Sequence, residues 1–523
     1  MRGSRVVAVC AASALVLGVL QLTLPATGSD LSAQVARANF FAAHGPAPVD
    51  LRWYGGVHPW GYSLLSPPLM ALVGVRVTGA LTLLASAAAF AALLVRTRVP
   101  RPLLGGLVGV LTIAGNLVSG RVTYALGVAF GLAALLALTL PAGPARRAGA
   151  RRAVLVGLAA LLASAASPVA GLFVGLAGVA LLLTRRYADG LLLAAPAAVP
   201  LAVTGLLFGE GGWMNISRAD TLHAVVTSLV VAGLVAYRPV RVGALLSAAG
   251  VLAAALLHTP VGLNATRLVV MFALPVLAAT ARLPGWLADR LPARVRPAAT
   301  AALLAAVCWW QPPVVAADLH SAGDPTADPA YFAPLHAELA RRGLTGRVEV
   351  PPTRNYWEAA HLGEVPLARG WLRQADIARN PLFFTTVPGT TGTGVPLTAA
   401  SYRAWLVDNA VQYVAVPDAE LSWVGRPEAE LVAAGLPYLT EVWSDAHWRL
   451  YAVVDPTPLV GAPGVLVGQD GAAVTFRVSG PGRVPVRVRH DRWLTVSGGA
   501  TLTADGEWTA VTVPRAGTYT LGG

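Results

Sequence analysis

The alternation of apolar runs with arginine over the first 310 residues leaves this chain few folds to choose from. Eleven apolar segments stand at about Val6–Leu24, Val77–Val95, Leu103–Val118, Val122–Leu140, Ala153–Ala166, Gly171–Leu183, Leu191–Phe208, Leu222–Ala236, Val242–Leu257, Leu268–Thr280 and Ala298–Trp310. A hydrocarbon core of about 30 Å takes roughly 20 helical residues, so these read as transmembrane helices, the shorter ones extending into their flanks. Every second connector is rich in arginine: Arg96, Arg98 and Arg101; Arg146, Arg147, Arg151 and Arg152; Arg185 and Arg186; Arg238 and Arg241; Arg282, Arg290, Arg294 and Arg296. The connectors between them hold only Arg37, Arg52, Arg76, Arg121, Arg218 and Arg267. Cytoplasmic loops carry the excess of positive charge, so the N-terminus is expected inside and everything after Trp310 outside. Val6–Leu24, behind Arg2 and Arg5, is expected to stay as an anchor, because Pro25-Ala26-Thr27-Gly28 makes a poor cleavage site.

Charge divides the chain at the same place. Only seven of its 26 acidic residues precede position 321, which leaves nineteen for the remaining 203 residues. The expected fold class is therefore a polytopic α-helical membrane protein with a C-terminal extracytoplasmic part. Residues 1–315 form the membrane domain with a long first outer loop over 26–76, 328–457 an α/β domain, and 458–523 a β-rich cap. Helices are expected at Pro334–Arg342, Ala399–Asn409 and Glu428–Ala434, and strands at Val411–Val416 and Trp448–Val454. Alternating segments Ala473–Val478, Val484–Val488 and Trp508–Val513, separated by Gly and Pro, predict a β-sandwich-like end. All 39 basic residues are Arg and none is Lys, a bias that a nucleic-acid surface does not need, so the net charge of +13 does not point to nucleic acid. Cys10 and Cys308 both sit in apolar segments and read as packing residues. No phosphate-binding glycine loop follows a predicted strand.

The first outer loop is too long for a simple connector. The apolar run Leu64–Val95 exceeds one span, and Pro67-Pro68 with Arg76 break it, predicting a short helix over Leu69–Val75. A second helix is expected over Leu31–Ala43, with Leu31, Val35, Ala38 and Ala42 on one face and Asp30, Gln34, Arg37 and Phe41 on the next, lying on the membrane surface. Asp30, just past the first span, is the sharpest candidate for chemistry: a carboxylate there can deprotonate an acceptor hydroxyl or hold a metal. The competing role is helix capping, since Thr27 and Asp30 fit a capping box. As a set, the outer arginines Arg121, Arg218 and Arg267 suit a lipid-linked phosphate, and each singly suits ordinary headgroups. Arg37, Arg52, Tyr54 and His58 of the same loop are further candidates to bind the donor or its phosphate; His44, His58, Asp50 and Tyr54 could help bind a metal or sugar, but their spacing matches no metal motif and polar loop residues explain each of them better. Trp357 and Glu358, then Arg369, Trp371, Arg373 and Asp376, mix aromatic and charged groups as carbohydrate sites do and are candidates for binding the acceptor. A packed domain surface explains them equally well.

An inside N-terminus, an Asp soon after span one, two loop helices, about eleven spans and an outer C-terminal domain together resemble the GT-C superfamily of polyprenyl-phosphate-sugar-dependent membrane glycosyltransferases. Tyr62-Ser63-Leu64-Leu65-Ser66-Pro67 and Arg369–Asp376 resemble bacterial membrane proteins of this kind. The resemblance implies a plasma-membrane enzyme moving a sugar from an outer-leaflet polyprenyl-phosphate donor to a cell-envelope glycan or lipid, with Asp30 catalytic and outer arginines meeting the departing phosphate. It leaves room for a divalent cation, Mg²⁺ or Mn²⁺. Many members carry an adjacent acidic pair or a second loop carboxylate, whereas here Asp30 stands alone and the next outer loops offer only Glu210 and Asp220. The competing classes are a transporter and a non-catalytic cell-envelope assembly protein. The near absence of carboxylates in the spans, where Asn116 and His223 are the main polar exceptions, disfavours ion-coupled transport.

Overall fold

The computed structural model describes residues 3–141, 146–282, 290, 292–390 and 394–523. Arg2 lies outside the described residues. Helices stand at all eleven apolar segments: α1 (Gly3–Thr23), α4 (Val75–Arg96), α5 (Pro102–Val118), α6 (Val122–Leu138), α7 (Arg146–Ala166), α8 (Pro168–Leu183), α9 (Tyr187–Leu207), α10 (Arg218–Leu234), α11 (Arg238–Leu256), α12 (Arg267–Thr280) and a last one over Arg296–Trp310. Among the described residues, six helices are long and apolar enough to cross a bilayer, and Pro102–Val118, Val122–Leu138 and Pro168–Leu183 are shorter apolar ones. The protein is a multi-pass helical membrane protein with a strand-rich C-terminal region.

Small residues set the helix spacing. A Cβ on Gly105 would stand 2.4 Å from the Ala279 Cβ, so glycine is what lets α5 approach α12 closely. In the long first loop, α2 (Leu31–His44) and α3 (Ser66–Val73) form close to where the sequence places them. Gly74, at φ 93°, breaks the apolar run between α3 and α4. One expectation fails here. A helix resting on the membrane surface would expose one face, yet Leu31, Ser32, Ala33, Gln34, Ala36, Arg37, Ala38 and Phe40 of α2 are all buried. The small side chains at 32, 33 and 36 let other segments close around the helix.

The chain clusters into two compact units. One comprises Met1–Gln34, Gly61–Gly209 and Met214–Ala322, and the other Val35–Trp60, Glu210–Trp213 and Gly323–Gly523. The middle of the first loop thus belongs with the C-terminal region, where 26–76 was expected to stay with the membrane domain. The reason is packing: Val49 and Leu51 enter the core that includes Val474, Phe476, Val484 and Leu521. The Leu51 amide donates to the Gly471 carbonyl at 2.7 Å, and the Leu367 amide to that of Arg52 at 2.7 Å.

Within this second unit, β1 (Arg347–Glu349), β2 (Val411–Pro417), β3 (Leu439–Ser444) and β4 (Trp448–Val453) form one sheet ordered β1-β2-β4-β3, with only β1 and β2 parallel. Helices Ala333–Arg342, Ala399–Asp408 and Gly425–Ala433 complete the α/β part. The final residues build two small sheets, one of β7 (Gly482–Arg489), β10 (Trp508–Val513) and β9 (Thr501–Asp505), the other of β5 (Val465–Gln469), β6 (Ala473–Val478), β11 (Gly517–Gly522) and β8 (Thr495–Val496). Val484, Val486 and Val488 of β7 and Val474, Phe476 and Val478 of β6 bury alternate side chains in one core, the period-2 pattern of a sandwich.

Candidate active site

Asp30 immediately precedes α2 and is 7% exposed. Two arginines distant in sequence converge on its Oδ2: Arg267 at 3.2 Å from the first residue of α12, and Arg121 at 3.4 Å from the turn before α6. Each arginine stands at the start of a helix, so two of the three loop charges singled out in the sequence come to one point. Tyr124, one turn into α6, lies 5.4 Å from the Arg267 guanidinium. Its hydroxyl is buried with no hydrogen-bond partner among the described residues. Around these groups runs a polar network from three further segments. Gln34 donates to the Tyr62 hydroxyl and to the Asp30 carbonyl, both at 3.3 Å, and accepts from Thr123, whose hydroxyl is 2.9 Å from that of Ser66. Thr27 does not complete a capping box with Asp30, since its hydroxyl donates to the Val118 carbonyl at 3.0 Å.

A second carboxylate stands close by. Asp318 accepts from the Ser119 hydroxyl at 2.5 Å and is 7% exposed. Burial pushes its carboxyl above the usual carboxylate range, with the Ser119 hydroxyl and Arg121 pulling the other way. By composition Asp318–Asp328 is a polar linker after the last apolar segment, and the sequence gives this residue no other role. The signal that could have found it is an acidic residue a few positions past the last span, the same placement that drew attention to Asp30.

Tyr124 also lines an apolar cavity of about 610 Å³ between α4, α6, α8, α10, α11 and α12. Its walls include Phe90, Leu132, Val174, Val231 and Phe272, and it runs from Tyr124 and Leu268 to Thr97, Thr139 and Tyr237. At 1.5 Å per residue, the stretch of α6 between Tyr124 and Thr139 spans about 22 Å. Such a space suits a hydrocarbon chain whose head reaches the charged cluster.

The other candidates fall elsewhere. Arg218 is exposed in the first turn of α10. Arg37, Arg52, Tyr54 and His58 belong to the second unit. There Arg37 faces the rings of Trp53 and Trp371 at 5.8 and 5.4 Å. Arg52 holds Asp50 at 2.8 Å, Tyr54 donates to the Gly370 carbonyl at 2.5 Å, and His58 lies 3.3 Å from Glu210 and 3.0 Å from Asp491. Trp357 stacks on His361 at 4.9 Å, and Arg373 donates to the Tyr356 hydroxyl at 3.4 Å. Glu358 accepts from the Thr353 hydroxyl at 2.6 Å, and burial pushes it up to about 7. Arg369 and Asp376 pair inside the core at 2.8 Å, where Arg369 also meets Glu428 at 3.0 Å and Glu349 at 3.7 Å.

Both guanidiniums meet Oδ2 of Asp30, while its Oδ1 lies 3.5 Å from the Ser29 hydroxyl. His44, Glu364 and Asp470, whose ligand atoms lie within 4.8 Å of one another, are a group that could hold a metal ion, and they belong to the second unit.

No family model and no curated protein matches the chain. Among solved structures it is similar to the arabinofuranosyltransferase AftD from mycobacteria, at 19% identity and a TM-score of 0.47, over 91% of this chain and 41% of that one. It is also similar to ArnT from Cupriavidus metallidurans bound to undecaprenyl phosphate, at 14% identity and a TM-score of 0.46, over 86% and 98% of the two chains. The chain thus spans about two fifths of the length of AftD.

Proposed function

We propose that this protein is an integral-membrane glycosyltransferase that moves a sugar from a polyprenyl-phosphate donor to a cell-envelope glycan or lipid, with Asp30 as the base. The observation that carries this reading is one buried carboxylate flanked by two arginines beside Tyr124, which also lines the long apolar cavity. The polyprenyl chain would occupy the cavity and its phosphate would meet Arg121 and Arg267.

In the free protein these arginines neutralise Asp30. A donor phosphate competes for them, so its arrival frees the carboxylate for the acceptor, and the donor binds first. The acceptor hydroxyl then gives its proton to Asp30 while its oxygen bonds to the anomeric carbon from the face opposite the phosphate. The carbon–oxygen bond to the phosphate breaks with its electron pair going to the phosphate oxygen. The charge that builds up there is met by the two guanidiniums, already in place. The sugar configuration inverts, and no nucleotide is required. The excess of arginine in alternate connectors supports an extracytoplasmic side for this chemistry and for the C-terminal region.

Asp30→Asn tests the assignment. Asn keeps the shape of the side chain but leaves Arg121 and Arg267 without their carboxylate, so part of the stability is lost, while loss of a base slows transfer by roughly 10² to 10⁴-fold. Transfer from polyprenyl-phosphate sugars by the purified protein is the measurement, with thermal unfolding alongside. Near wild-type turnover by the Asn variant would remove Asp30 from the chemistry.

A further inference from the structure

Asp318 follows the last helix in a stretch that composition presents as a linker, and a linker has no reason to bury a carboxylate. Burying one is costly unless its oxygens are hydrogen-bonded. Here they are. Its Oδ2 takes the Ser119 hydroxyl at 2.5 Å, and the carboxylate also accepts from the Ser29 backbone. The Ser119 carbonyl accepts the Asp30 amide at 3.2 Å. Ser321 closes the arrangement, donating to the Asp318 carbonyl at 2.6 Å and accepting the Gly28 amide at 3.1 Å. Gly28, at φ 96°, fits because a Cβ there would stand 2.2 Å from the Ser119 carbonyl carbon. Residues 28–30 are thereby held between the turn that leads to Arg121 and the turn at 318–321.

We propose that Asp318 is the positioning residue of this site: by holding Ser119 and Ser29 at one point, it fixes where Asp30 and Arg121 stand relative to each other. This rests on the glycosyl-transfer reading. Asp318 touches neither partner directly; it acts through Ser29, adjacent to Asp30, and Ser119, two residues before Arg121. Positioning of this kind is sensitive, since a displacement of about 1 Å at a reacting group can cost roughly 10²-fold in rate. What the role requires of residue 318 is a pair of hydrogen-bond acceptors, and an Asn side-chain oxygen still supplies one where Ala supplies none.

The test compares Asp318→Ala, Asp318→Asn and Ser119→Ala, the last removing only the hydroxyl. Asp318→Ala should lower kcat by roughly 10- to 100-fold with the donor KM within about 3-fold of wild type, Ser119→Ala should lower it less, and Asp318→Asn should recover most of the rate. A second readout does not depend on activity. Ser29→Cys, in a protein whose Cys10 and Cys308 are replaced by Ala, reports with a polar maleimide how tightly the turn is held. Labelling should accelerate at least about 10-fold with Asp318→Ala and remain slow with Asp318→Asn. Unchanged labelling with Asp318→Ala, or an Asn variant as slow in catalysis as the Ala one, overturns the proposal. Should the wild type transfer no polyprenyl-linked sugar, the functional reading falls while the labelling still decides whether Asp318 holds the turn.

Discussion

Replacing Arg369 by Met should damage the fold before it touches any acceptor, and the size of the effect follows from the structure. Its guanidinium is 2% exposed, grips Asp376 through two hydrogen bonds of 3.1 and 2.8 Å, and lies 3.0 Å from Glu428 and 3.7 Å from Glu349. Phe383 supplies an aromatic face 4.0 Å away. Three carboxylates share this one cation, so burial and mutual repulsion push Glu349 well above the usual range and Glu428 up to about 7. Removing one partner of a buried ion pair costs about 3–5 kcal/mol, because the remaining charge has no compensation. In a unit of this size that is roughly 6–20 °C in apparent Tm. The sign of the pH dependence is fixed as well. A carboxyl raised in the folded state binds more protons there than when unfolded, so stability is lost as pH rises through the folded value. Without Arg369 the carboxylates are raised further, and the deficit of the variant should widen from pH 5 to pH 8. Thermal unfolding in detergent, followed by the fluorescence of the 14 tryptophans, measures this directly. A variant that melts within about 2 °C of wild type at pH 8 and yet fails in transfer would refute the reasoning and return Arg369 to an acceptor-binding role.

Glu358 offers a second pH effect, since its buried carboxyl rises from 4.5 to about 7, which corresponds to a cost of about 3 kcal/mol above that pH. Glu358→Gln keeps an acceptor for Thr353 and should raise the Tm at pH 8 while leaving pH 5 nearly unchanged; an equal shift at both would argue against it. Gly243 lines the apolar cavity, and a Cβ there would meet Ala180 and Leu176 only at 3.8 and 3.9 Å. Gly243→Trp should therefore fill the cavity without loss of stability, a helical glycine being worth up to about 1 kcal/mol less than a larger residue, and raise the donor KM at least about 10-fold; unchanged kinetics would place the chain elsewhere. A reporter active only in the cytoplasm should be silent when fused after Gly523 and active when fused within the arginine-rich stretch Arg146–Arg152, and the reverse pattern would move Asp30 to the other face.

By itself the sequence determined the helices, their approximate ends and a break in the run Leu64–Val95, which it assigned to Pro67-Pro68 and Arg76 and the structure puts at Gly74, because apolar run length, helix breakers and connector charge are local properties of the chain. It also determined the strands whose valines alternate, such as β7, and singled out Asp30 with Arg121 and Arg267 as chemically unusual for their place. It did not distinguish Arg218 from those two arginines. All three begin helices after outer connectors, and only the packing of α5, α6 and α12 decides which reach a carboxylate up to 237 residues away. The same holds for Asp318, a linker residue by composition that tertiary contacts turn into a buried hydrogen-bond acceptor. It holds for Arg369 and Asp376, whose spacing on a mixed aromatic and charged stretch resembles a binding surface until Glu428 and Glu349 arrive from other elements to enclose them. And it holds for the middle of the first loop, where Val49 and Leu51 join a core built by the last sixty residues. Ion pairs and core contacts between distant segments depend on the path of the whole backbone, which leaves no periodic mark on either segment alone.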